Sequence, residues 1–296
     1  MTAGTNQLQH QLVTAQNPDG GWGYLPGISW TEPTALAVLA LAAYGGAGKE
    51  YEQGREWLQK TQNNDGGWAP NPHIVTSTWV TSLAVLALSE NGLESSKLQR
   101  AVEWLLQQAN AESGALTRLV LRAFGLAPPK LPGGSPWFPG TAAWIAPTVM
   151  SVLALSRLAY ATSSDSQSLR AAIRRGQEYI LSRKCRDGGW NHGGSSFRSE
   201  NSESYPEMTG MALLALKGAP INQLEAPLKL VKDSLPQTQA AEAVSWMQLA
   251  LICHGRSLPA SGDVLACRTI RDVCLRLLAL AGPASENRLL MQHLPN

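Results

Sequence analysis

Gln62-Asn63-Asn64-Asp65-Gly66-Gly67-Trp68 is the stretch from which the fold can be read. The same pattern stands earlier as Gln16-Asn17-Pro18-Asp19-Gly20-Gly21-Trp22. It stands later, without its Gln, as Cys185-Arg186-Asp187-Gly188-Gly189-Trp190. Each copy follows a helical pattern and precedes an Ala/Leu-rich run. Those runs are Leu36-Ala37-Val38-Leu39-Ala40-Leu41, Leu83-Ala84-Val85-Leu86-Ala87-Leu88 and Met211-Ala212-Leu213-Leu214-Ala215-Leu216. Self-similarity at a spacing of roughly 40–50 residues indicates a repeat architecture. Within the motif, two Gly permit a tight turn after a helix. The Trp packs over the turn and has an indole N–H to give to a carbonyl. The Gln, at the end of its helix, reaches backbone groups of the next repeat. Asp19, Asp65 and Asp187 read as turn-formers.

Working outward, the pattern predicts paired helices. The first covers 7–15 and closes at the Asn/Gly turn. Thr31 reads as the N-cap of its partner, which runs to about residue 44 with Glu32 and Pro33 in the first turn. Further pairs follow over 51–62 with 78–89, 98–108 with 141–159, and 169–183 with 208–217. No Gly-Gly-Trp follows 98–108; an extra helix over 116–124 and a Pro/Gly-rich loop over 125–140 stand there instead. A polar loop covers 193–205. A degenerate pair covers 224–235 and 240–254. A final helix covers 264–281, with Ser261 or Asp263 as cap. The first helix of each pair carries charges, such as Arg55, Glu56, Arg100 and Glu103. The second is almost uncharged, and a helix apolar all round is buried. The second helices therefore form an inner ring inside a ring of first helices, and the ring must close to cover its ends. The expectation is an all-α fold: one α/α toroid of about five to six helical hairpins, spanning 1–296.

Composition excludes several classes. The chain has 296 residues, 16% of them charged, and a net charge of +2, which makes no electrostatic case for nucleic acid. No apolar run is long enough to span a bilayer. The start of the chain shows no secretory signal. Cys185, Cys253, Cys267 and Cys274 lack ligand spacing and read as reduced thiols, which points to the cytoplasm. The five His stand far apart, so neither a metal nor another cofactor is expected.

The Gln-to-Trp motifs, each followed by an Ala/Leu-rich helix, resemble the QW repeat of squalene–hopene and oxidosqualene cyclases. The same repeat family covers the β-subunits of protein prenyltransferases and the β/γ domains of class II terpene cyclases. The resemblance implies an α/α toroid and an isoprenoid ligand. Class II cyclases carry Asp-x-Asp-Asp-Thr-Ala before an inner helix, and its middle Asp protonates the substrate. The matching stretch is Trp30-Thr31-Glu32-Pro33-Thr34-Ala35, with Glu32 at the middle position and the flanking acids replaced by Trp30 and Pro33.

Aligning the Ala/Leu runs places Glu32, Trp79, Ala146, Glu207 and Glu242 at equivalent first-turn positions around one mouth. Two positions earlier stand Trp30, Trp144 and Tyr205. Carboxyls beside apolar surface can act as acids, and aromatic faces stabilise cations. Glu32, Glu207 and Glu242 are the candidate catalytic residues; Trp30, Trp79, Trp144 and Tyr205 are the candidate substrate-binding residues. Each Glu can equally serve to cap its helix. The function expected is protonation-initiated cyclisation of a polyprenyl substrate. A non-catalytic toroid that binds an isoprenoid or a protein is the alternative, and a carbohydrate-active toroid with a carboxylate pair is the third reading. Trp137 and Phe138 make the 125–140 loop a candidate lid or membrane-facing lip, hence a peripheral membrane contact. A partner domain or a second copy would serve to close the pocket.

Overall fold

The structure, a computed structural model, describes residues 2–46, 48–89, 95–109, 123–124, 133–161, 167–193, 202–259, 265–282 and 287–290. The extra helix expected over 116–124 and large parts of the 125–140 and 193–205 loops lie outside these residues.

Odd and even helices alternate in role. The outer helices are α1 (Ala3–Thr14), which is polar but uncharged, and the charged, one-sided α3 (Lys49–Lys60), α5 (Ser95–Gln108), α7 (Gln167–Ser182) and α9 (Ile221–Ser234). Apolar helices are α2 (Thr31–Ala42), α4 (Val80–Leu88), α6 (Ile145–Ala161), α8 (Pro206–Ala215) and α10 (Ala241–Cys253). The last helix is α11 (Ile270–Ala281). In α4 every residue from Val80 to Leu88 is buried, whereas α3 buries Tyr51, Gly54, Trp57 and Leu58 along one stripe. That contrast assigns the layers, because a helix without a polar face has no side to offer to water.

The inner helices pack in sequence, α2 on α4, α4 on α6, α6 on α8 and α8 on α10. α11 then packs on both α10 and α2 and closes the circle. The fold is thus the expected all-α, α/α toroid. α11 is a sixth inner helix, and its outer partner is α1, brought from the opposite end of the chain. At the seam Tyr44 Oη donates to the Leu277 carbonyl at 3.0 Å.

The repeat turns explain why the hairpins look alike. The indole N–H groups of Trp22, Trp68 and Trp190 donate to the carbonyls of Leu12, Leu58 and Ile180 at 2.8, 2.7 and 2.6 Å. Their backbone amides donate to the hydroxyls of Thr34, Thr81 and Thr209, which sit in the first turns of α2, α4 and α8. Gln16 Nε2 donates to the Glu50 carbonyl and Gln62 Nε2 to that of Lys97, each stitching a repeat to the next. Asp19, Asp65 and Asp187 accept the amides of Gly21, Gly67 and Gly189. The middle Gly of each turn has φ of about +91°, a conformation that Gly adopts without strain. One copy was hidden in the sequence. The Ser135 amide donates to the Thr148 hydroxyl at 2.8 Å, so Gly133-Gly134-Ser135 is a turn of the same kind with its Trp replaced.

Three expectations are corrected. α2 is capped at Trp30, not Thr31: the Thr31 hydroxyl donates instead to the Ala69 carbonyl at 2.6 Å, tying α2 to the next loop. The first helix starts at Ala3 with Thr2 as its cap. The last helix starts at Ile270, because Thr269 and Asp272 form a reciprocal capping box that fixes its N-terminus there.

Candidate active site at the toroid mouth

All six inner helices start at the same end of the ring. Their second residues line up as Glu32, Ala146, Glu207, Glu242 and Arg271 in α2, α6, α8, α10 and α11; Trp79, immediately before α4, takes the remaining place. Three carboxyls and one guanidinium therefore meet at one mouth. Their positions follow from the Thr and capping contacts, which set the register of each helix against its turn.

Arg271 joins two of the carboxyls. Its Nη2 lies 2.8 Å from Glu242 Oε1. Its Nε lies 3.3 Å from Glu32 Oε1, near enough for charge attraction, although that N–H is not aimed at an acceptor. Glu32 is buried and also accepts a hydrogen bond from Tyr24 Oη. Burial and the neighbouring Glu32 carboxylate push the Tyr24 hydroxyl well above its ordinary range, which keeps it a donor. Glu242 is pushed above the usual carboxylate range, chiefly by burial; Arg271 and the Trp246 indole act against this rise, and the Glu32 charge adds to it. Trp246 is fully buried one turn further along α10, and its N–H completes no hydrogen bond of good geometry.

Glu242 and Glu207 share a cavity of about 360 Å³. Met208, Met211, Ala146 and Ala243 supply apolar wall; Trp137 and His192 supply aromatic wall, and Arg271 stands at the edge. Glu32 is not among the lining residues; it stands behind Arg271. None of Trp30, Trp79, Trp144 and Tyr205 lines this cavity either. Trp79 backs Trp137 edge-to-face at 4.8 Å, Tyr205 and Trp144 flank His192 at 5.4 and 6.5 Å, and Trp30 pairs with Tyr24 at 5.4 Å. A second, outer cavity of about 670 Å³ adjoins at Ala240 and Glu242, lined also by Gln239, Leu265, Arg268 and Asp272. Among the described residues, no group of three or more His, Cys, Asp or Glu is gathered to hold a metal ion.

Reading the sequence did not find Tyr24, His192 or Arg271. The signal for Arg271 was present: it occupies the same helical position as the three Glu, once the last helix is started at the Thr269–Asp272 capping box. Around the mouth, the loops 23–30, 69–79 and 133–144 contain no Asp, Glu, Lys or Arg. They expose Leu25 (76%), Val75 (89%) and Phe138 (50%), with Ile28 and Ile74 beside them. No helix among the described residues is long and apolar enough to cross a membrane.

The family model of the squalene–hopene cyclase C-terminal domain matches residues 75–215. That stretch, a little under half of the chain, is similar to the squalene–hopene cyclase C-terminal domain. A curated relative, the drimenyl diphosphate synthase of Streptantibioticus cattleyicolor, is 39% identical over 74 residues. The match covers 24% of this chain and 14% of that protein. Among solved structures, the type II terpene cyclase MstE from Scytonema, bound to geranylgeranyl dihydroxybenzoate, aligns at a TM-score of 0.56 and 16% identity, over 96% of this chain and 79% of that one. The family 8 endoglucanase Cel10 from Klebsiella pneumoniae aligns at 0.57 and 12% identity, over 95% of this chain and 98% of its own. At these identities the two likenesses show the shared α/α toroid; chemistry has to be argued from the mouth.

Proposed function

We propose that this chain belongs to the squalene–hopene cyclase-like superfamily and, acting as one toroid domain, cyclises an isoprenoid by protonating it at the mouth. The observation that carries the reading is the pair Glu207 and Glu242 on one apolar, aromatic-walled cavity. Its volume falls within the roughly 300–1,000 Å³ usual for small-molecule sites.

In this reading Glu242 is the acid. Arg271 holds Oε1, and Oε2 carries the proton. The proton moves to the CH carbon of the chain's terminal (CH3)2C=CH group, whose π pair forms the new C–H bond and leaves a tertiary cation on the dimethyl carbon. The next double bond attacks that cation and closes a ring; loss of a proton from the final cation ends the sequence. The Glu242 carboxylate left behind is stabilised by Arg271, a charge already in place before reaction. Glu207 and the Trp137 face stabilise the moving cation. Glu32, fixed by Tyr24, neutralises Arg271 and holds it in position.

An apolar ligand also accounts for the three uncharged loops at the mouth. Three loop tips bearing Leu25, Val75 and Phe138 form an apolar lip suited to peripheral contact with a bilayer, from which such a ligand would be drawn. The reading is tested by incubating the protein with squalene, farnesol, geranylgeraniol and the corresponding diphosphates, with gas chromatography–mass spectrometry of the extracts. A cyclic product lost in Glu242→Gln supports it. Failure to convert any of these substrates would return the three Glu to helix capping.

A further inference from the structure

We infer that the ligand of the joined cavities is an uncharged isoprenoid, a hydrocarbon or an alcohol, and that the mouth discriminates against prenyl diphosphates. The inference rests on the isoprenoid reading above and narrows its substrate class.

The charge arrangement carries it. On the inner cavity, Glu207 and Glu242 face one guanidinium, Arg271, which is already shared with Glu32. On the outer cavity, Glu242 and Asp272 face Arg268. With Glu242 as the neutral acid, Glu207 and Glu32 still outnumber Arg271 at the inner chamber, while Asp272 balances Arg268 at the outer one. A diphosphate in the inner chamber would meet the Glu207 carboxylate and find Arg271 already shared with Glu32, in a medium that screens less than water. The deeper wall offers no relief. Helices α2, α4, α8 and α10 contain no Lys or Arg at all. Arg276 of α11 donates to the buried Gln248 side chain. A multiply charged group buried against Ala, Val, Leu and Met would lose its hydration without a partner.

Helix N-termini could attract an anion, and six of them converge at this mouth. Their first turns are already occupied. Glu32, Glu207, Glu242 and Asp272 sit in those of α2, α8, α10 and α11. Leading amides are spent too: those of Thr31, Trp79 and Ile145 donate to the carbonyls of Pro70, Trp137 and His192. What the outer chamber offers beside Glu242 is a mixed set of donors and acceptors, Gln239, Arg268 and Asp272, which suits a hydroxyl.

The test is equilibrium binding of farnesol, farnesyl monophosphate and farnesyl diphosphate, followed by quenching of tryptophan fluorescence. The expected order is farnesol, then monophosphate, then diphosphate, with the ends of the series at least about tenfold apart at low salt. Raising ionic strength from about 0.05 to about 0.5 M should narrow the gap on the wild type, since salt screens repulsion. Glu207→Gln/Glu242→Gln should narrow it as well, by raising diphosphate affinity. Diphosphate binding as tight as farnesol, or a gap that neither salt nor the double variant changes, would overturn the inference and leave the cyclase reading standing. Binding of none of the three by folded protein would overturn both.

Discussion

Arg271 and Glu242 bring the mouth's electrostatics down to two side chains. A carboxyl next to a guanidinium would ordinarily lose its proton more easily, yet burial outweighs the pairing for Glu242. The consequence for stability has a definite sign. A carboxyl whose value is raised on folding binds more protons folded than unfolded between the two values. Its contribution is therefore complete below the ordinary value of 4.5 and declines as pH rises through the raised one. Glu242→Gln removes that decline. Thermal melts from pH 4 to pH 8 should show a flatter slope above about 4.5 in the variant than in the wild type; parallel slopes would mean that Glu242 is not perturbed. At this scale the sequence was half legible. Glu32, Glu207 and Glu242 could be picked out because an Ala/Leu run marks the register of each. Tyr24 could not, since it lies in a loop with no period, and it meets Glu32 only through the turn at Trp22-Gly23.

At the scale of the helical hairpin, the decisive contacts are the ones the repeat imposes. Trp68 is fixed from both sides: its indole N–H on the Leu58 carbonyl of the outer helix, its amide on the Thr81 hydroxyl of the inner one. Gly67 makes room for that geometry, because a Cβ there would stand 2.5 Å from the Ser77 Cβ and 3.0 Å from Thr81 Oγ1. Gly67→Ala should therefore destabilise by about 1–3 kcal/mol, as overpacking in a fixed turn does. Chemical denaturation would measure it; a change below about 0.5 kcal/mol would show that the turn can relax. Charge separated inner from outer helices except at the seam, where outer α1 has no charged residue and inner α11 carries Arg271, Asp272 and Arg276. Where the register failed, a competing contact had decided it. The Thr31 side chain serves the neighbouring repeat rather than its own helix end. The α11 start is fixed by a local capping box, while 265–268 stay non-helical. The Ser135 turn lacked the Trp by which the others are recognised.

For the whole molecule, closure is what turns a row of hairpins into a site. An open row would leave α2 and α11 with one uncovered flank each, and would leave Arg271 far from Glu32. The chain's first helix completes the hairpin of its last, so the seam and the mouth are made by the same step. Sequence periodicity implied a closed ring; it could not say which helix closes it, because α11 is amphipathic where the other inner helices are not. The uncharged lip is likewise a property of three loops together. Val75→Asp/Phe138→Asp should leave the melting temperature within about 2 °C, since both side chains are exposed. The same pair should cut co-sedimentation with phosphatidylcholine vesicles about tenfold; unchanged sedimentation would remove the membrane lip. The proton at the mouth remains the centre of the account, and deuterium labelling reads it directly. Conversion of an isoprenoid alcohol or squalene in heavy water, followed by mass spectrometry, should give a cyclic product with one deuteron on the carbon where the chain was first protonated, and Glu242→Gln should give none. A cyclic product without deuterium, or full activity in Glu242→Gln, would mean that the mouth carboxyls do not start the reaction.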